Sequence, residues 1–256
     1  MDIARHNGVA KVVHASSMAA TNQIFNHIQD TEETALPPMD TYQSAYDITK
    51  RLGEEAVLET NDDKNSSRKN DGMKVCALRL GCLLSGPKDY MLRHFKDFPG
   101  RVMGLATDAE IDLIAASDVA AAMYKASRTL DTHPDQLAGK ALYVTKCKTN
   151  TSTKVNDLAK CYANALGWNY LELPHPFVSA MQVGAWIHYE YLKRRHPPDD
   201  LPGLAMTHML QASQKWNTFD NTLARSVLNF EPEETWYDAV EWIAKEYKVV
   251  HPHLFA

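Results

Sequence analysis

Tyr46 and Lys50 stand four residues apart in the run Ala45-Tyr46-Asp47-Ile48-Thr49-Lys50. On a helix that spacing puts both side chains on one face, about one turn apart. An ammonium a few ångströms from a phenol favours the phenolate, and a phenolate can accept the proton of an alcohol. A serine hydroxyl nearby would hydrogen-bond the same substrate oxygen, and Ser16-Ser17 lies upstream, with Ser17 29 residues before Tyr46. The set suits alcohol oxidation or ketone reduction with a nicotinamide hydride carrier. The spacing alone is weak evidence, since Tyr189 and Lys193 repeat it. There it reads as chance on a solvated helix face; at Tyr46 a strand ending in serines precedes it.

Those side chains need elements to hold them. Lys11-Val12-Val13-His14-Ala15 is a short apolar run that fits a buried strand, and it ends at Ser16-Ser17, where ligands sit in open α/β sheets. After a loop with Pro37-Pro38, residues 41–59 have a helical pattern, with Ala45, Ile48, Leu52, Ala56 and Leu58 on or near one face. Residues 61–71 are a charged, polar insert expected on the surface. Strands are expected at 73–80, 111–115 and 141–145, with helices at 119–127, capped by Ser117-Asp118, and at 153–166, closed by Gly167. This alternation argues for an α/β fold with a doubly wound parallel sheet. Beyond it, helices are expected at 177–195, 220–228 and 235–247, the last opened by a near capping box of Thr235 and Asp238. The division expected is a Rossmann-like catalytic domain over 1–167 and a small, mostly helical substrate lobe over 168–256.

With 256 residues, 45% hydrophobic, the chain can bury the core of one large domain, or of one domain and a small lobe. A net charge of −5 without a basic stripe argues against a nucleic-acid partner. Cys76, Cys82, Cys147 and Cys161 show no C-x-x-C spacing and read as reduced thiols of an intracellular protein. No histidine or cysteine cluster suggests a metal. The opening residues form no signal peptide, and no apolar run reaches the roughly 18 residues of a membrane span. The glycosylation patterns at Asn65 and Asn150 carry no weight in a cytosol-facing protein. Asp118 reads as a helix cap, Arg79 as a structural ion-pair partner, and Trp186, Tyr189 and Tyr191 as core aromatics.

Val12-Val13-His14-Ala15-Ser16-Ser17 resembles the strand that delivers the catalytic serine of extended short-chain dehydrogenases/reductases. The run from Ala45 to Lys50, with Glu54-Glu55-Ala56-Val57 after it, resembles their catalytic helix. Cys76-Ala77-Leu78-Arg79-Leu80 running to Gly86-Pro87 resembles the next strand and cofactor loop, and residues 111–121 the following strand–helix unit. Leu228-Asn229-Phe230-Glu231-Pro232 is similar to the Leu-Gly-Tyr-x-Pro element near their C-terminus. In character the chain is most similar to the 3β-hydroxysteroid dehydrogenases and sterol 4-carboxylate 3-dehydrogenases. The resemblance implies Tyr46 as general base and Lys50 as ligand of the nicotinamide ribose that also tunes Tyr46. It implies Ser17 as the residue that orients the substrate oxygen, with Ser16 as the alternative should the register slip by one. Ser16, Tyr46, Lys50, Leu80 and Leu83 would then flank NAD or NADP. The chain departs from the family at Leu80, where a proline is usual, and at Lys88 and Asn229, where glycines are usual; the first two bear on the shape of the cofactor loop.

No G-x-x-G-x-x-G or G-x-G-x-x-G occurs in this sequence. In the family that element cradles the pyrophosphate on backbone N–H groups. Three βα units, on the order of 90 residues at about 30 per unit, are therefore expected to be missing relative to the family. Strand 11–15 would then be a sheet edge, and the isolated chain would aggregate, self-associate as a homo-oligomer or need a covering partner. Dinucleotide binding would be weak and the truncated chain inactive. The activity implied for a completed protein is oxidation of a hydroxyl on a hydrophobic ring substrate, a sterol, including one with a 4-carboxylate. The alternatives are nucleotide-sugar epimerase or dehydratase chemistry with the same residues, or a non-catalytic binding module. The expected location is the cytoplasm or the cytosolic face of the endoplasmic reticulum, with residues 177–192 resting on the membrane surface.

Overall fold

The structure, a computed structural model, describes residues 1–61, 72–88, 92, 98–193 and 210–255. Apart from Asn61, the charged insert lies outside them. A short helix α1 (Asp2–His6) leads to β1 (Lys11–Ala15), a single 3-10 turn (Met18–Thr21), β2 (His27–Asp30) and α2 (Ala45–Leu58). Next come β3 (Lys74–Leu80), β4 (Cys82–Leu84), β5 (Arg101–Leu105), β6 (Glu110–Ile111), β7 (Leu113–Ala115), α3 (Ala116–Thr132) and α4 (Pro134–Leu137). The remainder is β8 (Ala141–Val144), β9 (Thr153–Lys154), α5 (Val155–Leu166), β10 (Asn169–Leu173), α6 (His175–Lys193), β11 (Asn217–Phe219), α7 (Thr222–Leu228) and α8 (Trp236–Val250).

β1, β3 and β8 form a parallel sheet in that order, with Val13 opposite Cys76 and Leu78 opposite Leu142. Val75 to Leu78 are buried without a break, the mark of a parallel strand covered on both faces. α3 packs on β1 and β3, and α2 on β3. Val119, Ala122, Ala126 and Leu130 make the buried stripe of α3 and meet Cys76, Leu78, Ile114 and Leu142 in one cluster. β4 pairs with β7 and β5 with β10, both parallel, while β11 lies between β2 and β6, parallel to each, with β9 antiparallel on the far side of β6. The fold is thus α/β with parallel sheets and helical cover, as the alternation required. Elements after residue 168 share the core of those before it: α8 packs on α5, β4 and β7, and Trp236, Val240 and Ile243 join Leu113, Ala115 and Tyr162 in one cluster.

Two expectations need correction. Ser117-Asp118 does not cap the helix, which starts at Ala116 after Ala115 without a side-chain cap. Ser117 instead donates to Glu234, and Asp118 accepts the backbone N–H groups of Glu233 and Glu234. The pair fastens the segment that enters α8. The aromatic run of α6 is not core either. Trp186 and Tyr191 are 54% and 50% exposed, and the side chain of Tyr189 lies outside the described residues.

Asp112, between β6 and β7, ties the sheets together. Fully buried, it accepts the Phe219 N–H at 2.9 Å and the Ser152 hydroxyl at 2.7 Å, with Lys146 Nζ 4.0 Å away. Burial pushes its carboxyl up to about 6, against the opposing pull of Lys146 and the hydrogen bonds. Between the ordinary value of 3.8 and about 6 the folded state holds the extra proton. This contribution to stability is therefore complete at low pH and is lost as pH rises through about 6, a change on the order of 3 kcal/mol. Urea titrations of wild type and Asp112→Asn between pH 4 and 7.5 should diverge by that amount, with wild type losing ground as pH rises; parallel curves would refute the assignment.

Candidate active site

The site is built where α2 lies along the chain leaving β1. Ser44 caps α2 by accepting the Asp47 N–H at 3.4 Å, so the helix begins one residue before Tyr46. Three side chains of α2, at positions 47, 50 and 54, then hold the serine segment. Asp47 accepts the Gln23 N–H at 3.2 Å, Lys50 donates to the Ala15 carbonyl at 3.1 Å, and Glu54 accepts the Ser16 hydroxyl at 2.6 Å. Spacings of three and four place them on one helical face. Tyr42, just ahead of the helix, donates its hydroxyl to Ala20 O at 2.6 Å. Tyr46 stands at the open end of this face, 54% exposed, with Lys50 Nζ 5.8 Å from its ring centroid.

The two serines have different surroundings. Ser16 is buried and commits its proton to Glu54, so the structure does not bring it to the open side. Ser17 is half-buried and caps the 3-10 turn, its Oγ accepting the Ala19 N–H at 3.1 Å. One acceptor position of that hydroxyl is thereby filled, and its own proton has no acceptor among the described residues. A hydroxyl in that state is set to donate to an incoming oxygen. Neighbouring Lys50 acts in the same direction on His14 as burial does: burial first, then the Lys50 charge, hold the imidazole below its ordinary value and favour its neutral form, while Glu54 opposes them.

Behind the serines, Glu54 forms a buried ion pair with Arg79, which donates from Nε at 3.1 Å and from its terminal nitrogen at 2.7 Å. Arg79 also donates to the Tyr143 hydroxyl at 3.1 Å and lies 5.1 Å above that ring. Burial works against the Arg79 charge, yet the bonds and charge of Glu54, with Tyr143, outweigh it and push the guanidinium above its ordinary value. Arg79 is the structural ion-pair partner that its place in an apolar strand suggested. Its partner Glu54, and Asp47, were not singled out from the sequence, although Glu54 is the next residue after Tyr46 and Lys50 in the same four-residue progression.

Leu80, at the end of β3, packs against the hydrophobic cluster of the main sheet. Leu83, in β4, is 39% exposed. Between them, a Cβ on Gly81 would lie 2.5 Å from the Thr145 carbonyl oxygen, so only glycine lets β3 continue past the end of β8. Lys50 uses one of its three donors on Ala15, leaving two for ribose hydroxyls. With the exposed Tyr46 ring and Leu83, this fits the nicotinamide–ribose end of a dinucleotide; for the pyrophosphate the chain has no glycine-rich loop. The second Tyr-x-x-x-Lys pair, Tyr189 and Lys193, lies in α6 with side chains outside the described residues. Burial pushes the Cys76 and Cys147 thiols up to about 12, which leaves them inert at neutral pH.

Residues 1–173 match the 3-beta hydroxysteroid dehydrogenase/isomerase family. The chain belongs to that family. The matched part of the chain runs from α1 through β10 and contains Ser17, Tyr46, Lys50 and the Glu54–Arg79 pair. No curated protein matches the chain. Among solved structures, UDP-galactose 4-epimerase is similar with a TM-score of 0.64 and 18% identity, over 97% of this chain and 67% of that one. The dTDP-glucose 4,6-dehydratase of Bacillus anthracis, solved with NAD, gives 0.60 and 12%, over 98% and 66%. RMD from Pseudomonas aeruginosa, solved with NADPH, gives 0.59 and 13%, over 96% and 69%. The chain thus spans about two thirds of the length of these structures, and at such identities the likeness is one of Rossmann-like fold.

Proposed function

We propose that the chain carries the catalytic part of an NAD(P)-dependent oxidoreductase acting on the CH–OH group of a 3β-hydroxysteroid or sterol, including a 4-carboxysterol. The observation that supports this most is that Lys50, beside the Tyr46 ring, bonds the Ala15 carbonyl two residues before Ser17, in a chain of this family. Ser17 donates its free proton to the substrate oxygen and fixes its place. Tyr46, reached from the open side, takes the hydroxyl proton as the carbonyl forms. Lys50, anchored by Ala15, holds positive charge behind the phenol and offers its remaining donors to the ribose. A nicotinamide, when bound, supplies the hydride acceptor. A substrate with a carboxylate beside the new ketone becomes a β-keto acid, and its loss of carbon dioxide needs no further residue. Incubation of the purified chain, and of a version completed by a glycine-rich βαβ unit, with NAD and 3β-hydroxysterols should yield reduced nicotinamide in the completed version. Turnover of nucleotide sugars in place of sterols would move the assignment to epimerase or dehydratase chemistry.

An apolar substrate also accounts for α6. Its Val183, Trp186, Ile187 and Tyr191 are each half or more exposed, and these spacings share one helical face. No helix among the described residues is long and apolar enough to cross a membrane. In this reading α6 rests on a membrane surface at the mouth of the sterol site, facing the cytosol. Trp186→Ser with Ile187→Ser should then lower flotation with phosphatidylcholine vesicles about tenfold or more, given the apolar area removed; unchanged flotation, or none in wild type, would refute this placement.

A further inference from the structure

The Glu54–Arg79 pair sits at the foot of the site, and its bonds run toward the serines. α2 carries Tyr46, Lys50 and Glu54 at intervals of four, so they form one row along the helix. Lys50 grips the Ala15 carbonyl and Glu54 grips the Ser16 hydroxyl; the third member of the row, Tyr46, therefore stands in a fixed relation to Ser17. A hydroxyl donating to a buried carboxylate makes a short, strong bond, here 2.6 Å. Arg79 spans both oxygens of that carboxylate and keeps its direction fixed. Because Ser16 is held inward, and successive side chains of an extended chain point to opposite sides, Ser17 is turned outward. Ser17 itself is extended, with φ −154° and ψ 154°. The pair is an odd choice for stability alone, since replacing a buried ion pair by apolar residues of similar volume is often neutral or stabilising. Its attested use is to fix one arrangement among several.

We infer that Glu54 and Arg79 are positioning residues which, through the Ser16 hydroxyl, set Ser17 against Tyr46 for the reaction. This rests on the reading of Ser17 and Tyr46 given above, and its test must separate the two. Ser16→Ala removes one hydroxyl and leaves the ion pair. Glu54→Leu with Arg79→Met removes both charges and keeps the apolar volume. In the completed enzyme both variants should lower kcat about tenfold to a hundredfold with KM within about twofold, because misplacing a reacting group slows chemistry more than binding. The double variant should do so with a melting temperature at or above that of wild type. Ser16→Thr, which restores a hydroxyl, should recover much of the rate. Amide exchange supplies a readout that needs no activity: the Ala19 N–H, bonded to Ser17 Oγ, should exchange about tenfold faster in Ser16→Ala. Wild-type kcat in the double variant, or unaltered Ala19 exchange in Ser16→Ala, overturns the inference. A Tyr46→Phe enzyme that keeps full activity overturns the underlying reading instead, and the exchange result then decides the positioning by itself.

Discussion

Tyr46→Phe should lower kcat by about a hundredfold to ten-thousandfold, the range for loss of a general acid–base group, in a protein that unfolds as wild type does. Both halves follow from the surroundings of the ring. The ring is 54% exposed, and its hydroxyl makes no hydrogen bond to the described residues, so phenylalanine removes no folding contact there. The Asp47, Lys50 and Glu54 bonds that hold α2 against the serine segment come from other positions. Ser17 would still orient the substrate oxygen, and KM should change little. Steady-state kinetics on the completed enzyme, with thermal unfolding of the same samples, checks this. Full activity would remove Tyr46 from the mechanism, and a large fall in melting temperature would make the loss structural.

The parts of the fold that were legible in the sequence are those with local causes. Lys11–Ala15 is a strand in the structure with the bounds its apolar run suggests. Gly167 closes α5 in the left-handed region, and Thr235 caps α8 by accepting the Asp238 N–H at 3.2 Å. What was hidden depends on partners far along the chain. β2 is four residues with an exposed centre, Ile28 and Gln29, and exists as a strand because β11, some 190 residues later, pairs with it. Ser117-Asp118 has the composition of a cap and is used to fasten Glu233 and Glu234, since the groups that satisfy a helix end satisfy any free backbone N–H. Likewise, two adjacent serines after a strand offer no local reason to prefer one. The choice between them is made by Glu54, 38 residues from Ser16.

Arg79→Met should cost about 3–5 kcal/mol of folding stability, the range for breaking a buried pair by removing one partner. Arg79 is 6% and Glu54 2% exposed, so water cannot replace what is lost. Methionine fills much of the volume and so isolates the charge. It withdraws every N–H that Arg79 gives to Glu54 and leaves the carboxylate, among the described residues, with the Ser16 hydroxyl at 2.6 Å as its side-chain donor. It also leaves the Tyr143 hydroxyl without the donor 3.1 Å away. Arg79→Lys keeps a cation but not the planar fork that spans both carboxylate oxygens, so its loss should fall between wild type and Arg79→Met. Chemical denaturation of these two and of the Glu54→Leu, Arg79→Met protein gives an order: Arg79→Met least stable, Arg79→Lys next, the double variant near wild type. If Arg79→Met instead lies within about 1 kcal/mol of wild type, the value of an exposed pair, then Glu54 is reached by water and the foot of the site is not the dry, rigid anchor described above.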